Sequence, residues 1–201
     1  MAAILLARHV YGQEIEWLCG GPGFWNPALE TIFPSATQFE AGTGAQATLP
    51  YEEIALLFEQ GAFDMGFFGG LEIDGSGRVN LGVTESGIEG PGPAGLPVGL
   101  SRVRQAFLLA PRHQPSSLVA RVHYASGVPR GNVAALLTPL CVFDLQGDVP
   151  VLVENLGRSV DEIRERTGFT FTVAADAGDL RPTDDEVDLL ARVDPGGILS
   201  K

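Results

Sequence analysis

The chain has 201 residues, 45% hydrophobic and 19% charged, enough to bury a sizeable core in a single α/β domain spanning residues 1–201. Its 13 Lys+Arg stand against 25 Asp+Glu, and the formal net charge of −12 repels nucleic-acid phosphates and anionic membrane surfaces. Two cysteines and three histidines without ligand spacing argue against a disulfide framework and a bound metal, and no stretch reaches the roughly 20 apolar residues of a membrane span.

Residues 1 to 11 read as a short amphipathic helix closed by Gly12, with an apolar run but no basic leader or cleavage site, so the expected location is the cytoplasm. Glu14 to Cys19 alternates as a strand and runs into Gly20-Gly21-Pro22-Gly23, a turn whose free backbone N–H groups suit an anion. A second strand is expected over Ala36 to Glu40, stopped by Ala41-Gly42-Thr43-Gly44, and a helix from about Pro50 to Gln60. Asp64 to Asp74 has the apolar content of a buried strand, followed by the Gly75-Ser76-Gly77 turn and a short strand through Val79.

Val83 to Gly99 is rich in Gly and Pro, the composition of a linker or an active-site loop, and reads as a loop within one domain, with strands expected at Val103–Ala110 and Val119–Tyr124. A strand pair follows around Leu136–Leu145 and Val149–Asn155, joined through Gly147-Asp148. Capping boxes at Ser159-Val160-Asp161-Glu162 and Thr183-Asp184-Asp185-Glu186 open two surface helices, and the carboxylates from Asp176 to Asp188 read as a solvated helix face. The elements add up to an α/β fold with a mixed, largely parallel sheet flanked by helices.

Several blocks, in order, resemble the B-type subunits of class I coenzyme A transferases of the glutaconate type: Gly70-Leu71-Glu72-Ile73-Asp74-Gly75-Ser76-Gly77-Arg78-Val79-Asn80, then Gly90-Pro91-Gly92-Pro93-Ala94-Gly95, His113 through Tyr124, Asp161 to Phe169, and Val193-Asp194-Pro195-Gly196. The resemblance implies the class I CoA-transferase fold and a separate A-type (alpha) subunit, in a heterodimer or α2β2 heterotetramer. It implies a coenzyme A thioester as substrate and no permanently bound cofactor. It also implies a glutamate nucleophile that attacks the thioester and becomes a glutamyl-CoA thioester. Two glutamates compete for that role. Glu40, at an expected strand end, is preferred to Glu85 of Thr84-Glu85-Ser86-Gly87, which lies in the Gly/Pro loop, because a reactive group needs a rigid support.

Each step of such a transfer passes through an oxyanion, and the candidate donors or CoA contacts are Gly20, Gly21, Gly23, Gly92, Ala94 and Gly95; Pro93 has no N–H to offer. Trp25, Asn26 and Cys19, next to the first glycine turn, are candidates for an acyl pocket. Cys19, Trp17 and Phe24 also fit a plain core, and His113 a structural role. Ala41 after Glu40, Arg78 and His123 depart from the family pattern. These departures leave room for relatives on this fold that decarboxylate a glutaconyl-CoA-like substrate or hydrolyse a carbon–carbon bond. In them Glu40 becomes a base or a bystander. A non-catalytic B subunit supporting an A subunit is a further alternative.

Overall fold

The computed structural model describes residues 1–19, 23–35 and 38–199. In chain order these form α1 (Ala2–His9), β1 (Leu18–Cys19), β2 (Phe24–Trp25), β3 (Ala47–Thr48), α2 (Tyr51–Glu59), β4 (Met65–Gly69), β5 (Glu72–Asp74) and β6 (Val79–Asn80). Next come α3 (Leu96–Arg102), β7 (Gln105–Leu109), β8 (Leu118–Val119), β9 (Val133–Leu137), β10 (Cys141–Asp144), β11 (Val151–Asn155), α4 (Val160–Glu165), β12 (Thr172–Asp179) and α5 (Asp184–Val193). They gather into two compact units, Met1–Ile54 with Pro182–Lys201, and Ala55–Arg181.

The larger unit is built on a sheet ordered β12-β11-β10-β9-β7-β4. β4, β7 and β9 run parallel, β10 is antiparallel to both β9 and β11, and β12 is parallel to β11, as expected for a mixed, largely parallel sheet. Strand periodicity sorts the side chains. Ala106, Leu108, Leu136, Cys141, Phe143 and Leu152 are buried on one face, where Ile163, Phe169 and Phe171 cover them. Phe143 meets Phe169 and Phe171 edge-on at 5.5 and 5.0 Å, and burial of such a ring contributes roughly 1.5–3 kcal/mol. The opposite face is open at the β4 edge, with Met65 53%, Phe67 48% and Leu109 40% exposed. β5 and β6, between β4 and β7 in the chain, join β8, which follows β7, in a small sheet ordered β6-β5-β8.

In the smaller unit, α1 and α5 bury Leu5, Leu189 and Val193 with Leu29 and Ile32. Thr183 caps α5 with both halves of a capping box, and Tyr11 donates to Glu186 Oε1 at 2.8 Å. β1, β2 and β3 form an antiparallel ladder.

Several sequence expectations need correction. Phe39 to Gly42 is a 3-10 turn rather than the end of a strand, because the N–H and hydroxyl of Thr43 both close back on the Glu40 carbonyl; Ala36 and Thr37 lie outside the described residues. The strand from Glu14 shrinks to Leu18–Cys19, since Arg8 takes the Ile15 carbonyl. The strand expected to reach Tyr124 stops at Val119, and two backbone N–H groups beyond it turn instead to buried carboxylates. The Gly/Pro stretch gives way to α3 at Leu96, with Pro97 in the first turn, where no N–H is needed. Asp176 and Asp179 belong to β12, not to a helix face. At Ser159 only half a box forms: its hydroxyl accepts from Glu162 N, while the Glu162 carboxylate lies near Arg166.

Candidate active site

In the smaller unit, Cys19 ends β1 and pairs with Phe24 of β2; Leu18 pairs with Trp25, and the Asn26 N–H donates to the Trp17 carbonyl at 2.7 Å. Cys19 is 1% exposed, packed with Phe24 and Ala41. Burial raises its pKa above the ordinary thiol value, against a weaker opposing pull from the N-terminal ammonium, so at neutral pH it is the protonated thiol. The turn that follows includes Gly20 and Gly21, which lie outside the described residues. Gly23 closes it at φ +74°, and a side chain there would meet the Leu49 carbonyl oxygen at 2.1 Å, so only glycine fits.

Asn26 adopts left-handed backbone at φ +46°, uncommon for a residue with a Cβ. Its Oδ1 accepts from Arg8 Nη2, which also donates to the Ile15 carbonyl. Trp25 is half-buried and its carbonyl accepts from Gln46. The Trp17 indole nitrogen is buried with no acceptor among the described residues. Cys19, Trp25 and Asn26, grouped by sequence as an acyl pocket, thus share one hairpin. Glu40 is exposed on the 3-10 turn. The rigid strand end that favoured it over Glu85 is absent.

In the larger unit the Gly/Pro loop folds back on β6. The Gly90 N–H donates to the Gly82 carbonyl, and the Gly92 N–H to the Leu81 carbonyl at 3.0 Å, so Gly92 has spent the N–H proposed for an oxyanion. Ala94 stands at φ +43° and Gly95 caps α3; Glu85 is exposed in the Val83–Glu89 hairpin. A shallow cavity of about 330 Å³ is lined by Gly82, Val83, Glu89, Gly90 and Tyr124.

Behind this loop lies a buried polar layer that sequence reading quoted as a motif without assigning it a job. Glu72 Oε2 accepts from Asn80 Nδ2 at 2.8 Å and from the His123 N–H at 3.0 Å. Asp74 accepts from Ser76, from Arg78 Nε at 2.9 Å and from the Val122 N–H at 3.2 Å. The Asn80 amide spans the Val83 carbonyl and the Gly82 N–H, and Ser126 Oγ accepts from Leu81 N. Two carboxylates and one amide thereby hold both segments that line the cavity. Arg78, a departure from the family pattern, completes the layer.

His113 is buried between Thr138 Oγ1 on Nδ1 (2.8 Å) and Thr167 Oγ1 on Nε2 (2.9 Å), with Cys141 Sγ 3.9 Å from Nδ1. Thr167 gives its proton to the Ile163 carbonyl, so Nε2–H donates to it. Burial lowers the His113 pKa to about 4 and pushes Cys141 up to about 11. The pair is a neutral structural tie.

This arrangement of a mixed sheet, crossover loops and helices is the fold of the class I CoA-transferase family. The chain is similar to the decarboxylase AibA/AibB at 28% identity and TM-score 0.88, covering 98% of this chain and 83% of that one. It is similar in fold to glutaconate coenzyme A-transferase from Acidaminococcus fermentans, at 16% identity and TM-score 0.79 over 98% and 85% of the two chains. Rhodococcus jostii RHA1 IpdAB matches at 22% identity and TM-score 0.67 over 82% and 74%. No protein-family model and no curated protein matches the chain. No helix among the described residues is long and apolar enough to cross a membrane.

Proposed function

We propose that the chain is the B-type subunit of a heteromeric enzyme acting on acyl-CoA thioesters, and that its reaction is decarboxylation of a glutaconyl-type thioester rather than transfer of CoA between acids. The observation that carries this reading is the buried Cys19 at the end of β1, before the glycine turn, while Glu40 sits exposed on a 3-10 turn. A transferase needs a carboxylate nucleophile on a rigid support. A decarboxylase needs none, because the thioester carbonyl itself draws the electrons. The 28% identity to a decarboxylase, against 16% to a transferase, supports the same choice. That decarboxylase has also been crystallised with one cysteine replaced by Asn, Val, Ser or Ala, and we assign the corresponding role here to Cys19.

In this reaction the bond between the γ-carbon and the carboxyl carbon breaks and CO2 leaves. The electron pair moves through the C=C bond onto the thioester oxygen, giving a dienolate. A proton then returns to carbon, and the thioester leaves intact. The Cys19 thiol, kept protonated by burial, supplies that proton and is reprotonated from water. CoA is an anion and this chain carries −12, so an A-type partner supplies much of the positive surface that holds it.

The test is to copurify the chain with an A-type subunit, add glutaconyl-CoA, and follow CO2 and crotonyl-CoA, with borohydride present to reduce any enzyme-bound thioester. CO2 release without an adduct is expected. A reduced adduct on Glu40, with CoA passed to a second acid, would make the enzyme a transferase and sink the decarboxylase reading.

A further inference from the structure

The hairpin that carries Cys19 holds two hydrogen-bond donors without acceptors among the described residues. The Trp17 indole N–H is buried and meets no acceptor among the described residues. Native folds leave few such donors, and those they leave often await a ligand. Just beyond the ladder stands Asn26, whose backbone N–H donates to the Trp17 carbonyl. A guanidinium can only donate, so the Asn26 atom that faces Arg8 is its oxygen, and the amide nitrogen is turned away. That NH2 has no partner among the described residues. Arg8 is itself partly buried, yet among the described residues it meets two neutral oxygens and no carboxylate, whereas the similarly buried Arg78 is paired with Asp74. Its function in the fold is therefore to fix the turn after α1 and the orientation of one amide.

We propose that Trp17 Nε1–H and the Asn26 amide NH2 form a two-donor hole for the acyl oxygen of the thioester, with Arg8 as the residue that positions Asn26. This rests on the acyl-CoA reading above. Trp17 packs against the cluster of Cys19, Phe24 and Ala41, and the Asn26 N–H on its carbonyl sets Asn26 across from it just beyond the paired residues. Donors and thiol are therefore neighbours on one hairpin. The acyl oxygen gains its negative charge as the carbon–carbon bond breaks, so the two donors favour the transition state over the bound substrate.

Trp17→Phe and Asn26→Asp each remove a donor while keeping the shape; the aspartate also tolerates the left-handed backbone and the contact with Arg8. In the complex with the A-type partner, each lowers kcat for glutaconyl-CoA by about tenfold to a hundredfold and leaves KM within about threefold. Arg8→Gln also lowers kcat, but adds nothing on top of Asn26→Asp, a non-additivity that a merely structural arginine would not show. In indole-15N spectra of the native complex, the signal lost in Trp17→Phe moves on saturation with crotonyl-CoA and stays put with free CoA. Variants within about twofold of the native kcat, or an indole signal that crotonyl-CoA leaves in place, overturn the proposal. Should the native complex release no CO2, the decarboxylation fails on its own account and the indole signal alone decides the donor pair.

Discussion

Cys19 and Glu40 make opposite predictions about which side chain the chemistry needs. In the copurified complex, Cys19→Ala lowers CO2 release by about tenfold or more, whereas Glu40→Gln stays within about threefold; rates with glutaconyl-CoA check both. Buried and protonated, Cys19 also reacts slowly with iodoacetamide at pH 7. His113 predicts a pH effect. Its folded pKa of about 4 lies below the unfolded value near 6.5, so as pH falls between them the unfolded chain takes up a proton that the native chain refuses. Stability is complete above about pH 6.5 and declines by roughly 3 kcal/mol towards pH 4. Urea unfolding at pH 7 and pH 5 shows this loss in the native chain, and His113→Gln reduces it.

At the scale of elements, the Glu72–Asn80–His123 layer is where one change does most damage. Asn80→Ala leaves a buried carboxylate short of a donor and frees the Gly82–Val83 turn, at a cost of about 2–4 kcal/mol, measurable by urea unfolding. The two caps rank themselves: Thr183→Ala, which breaks a complete box, costs about 1 kcal/mol and more than Ser159→Ala, where only half a box exists. Thermal melts of the pair give the order. Helices α1, α2, α4 and α5 and strands β7 and β11 were legible because their patterns are local: α2 fills Pro50–Gln60 nearly to the residue, and β11 lies within Val149–Asn155. What could not be read was decided by side chains distant in sequence. Asp74 and Glu72 take the Val122 and His123 amides about fifty residues away and end a strand that the alternation would continue. The site was legible in part for the same reason. Cys19, Trp25 and Asn26 fall beside one glycine turn in the sequence, but the strand β2 that makes it a hairpin, the Arg8 contact and the unmatched Trp17 donor leave no trace in composition or spacing.

For the whole molecule, burial is one-sided. The main sheet packs one face fully and leaves Met65, Phe67 and Leu109 open at the β4 edge, where Phe67 stacks on Phe107 at 5.4 Å. An apolar strand edge of that kind invites self-association in the isolated chain, despite the net charge of −12. Phe67→Lys lowers the light scattering of the chain purified alone at neutral pH; scattering equal to that of the parent would mean that this edge is not what drives association.

The crossover from β4 to β7 makes the rim of the shallow cavity a module. The chain leaves the sheet after Gly69, builds the Val83–Glu89 hairpin and α3, and re-enters at Gln105 beside the strand it left. Residues can be gained or lost at the hairpin tip without shifting the register of either flanking strand. Lineages descended from such a scaffold can therefore diversify substrate choice by loop length while inheriting the sheet unchanged.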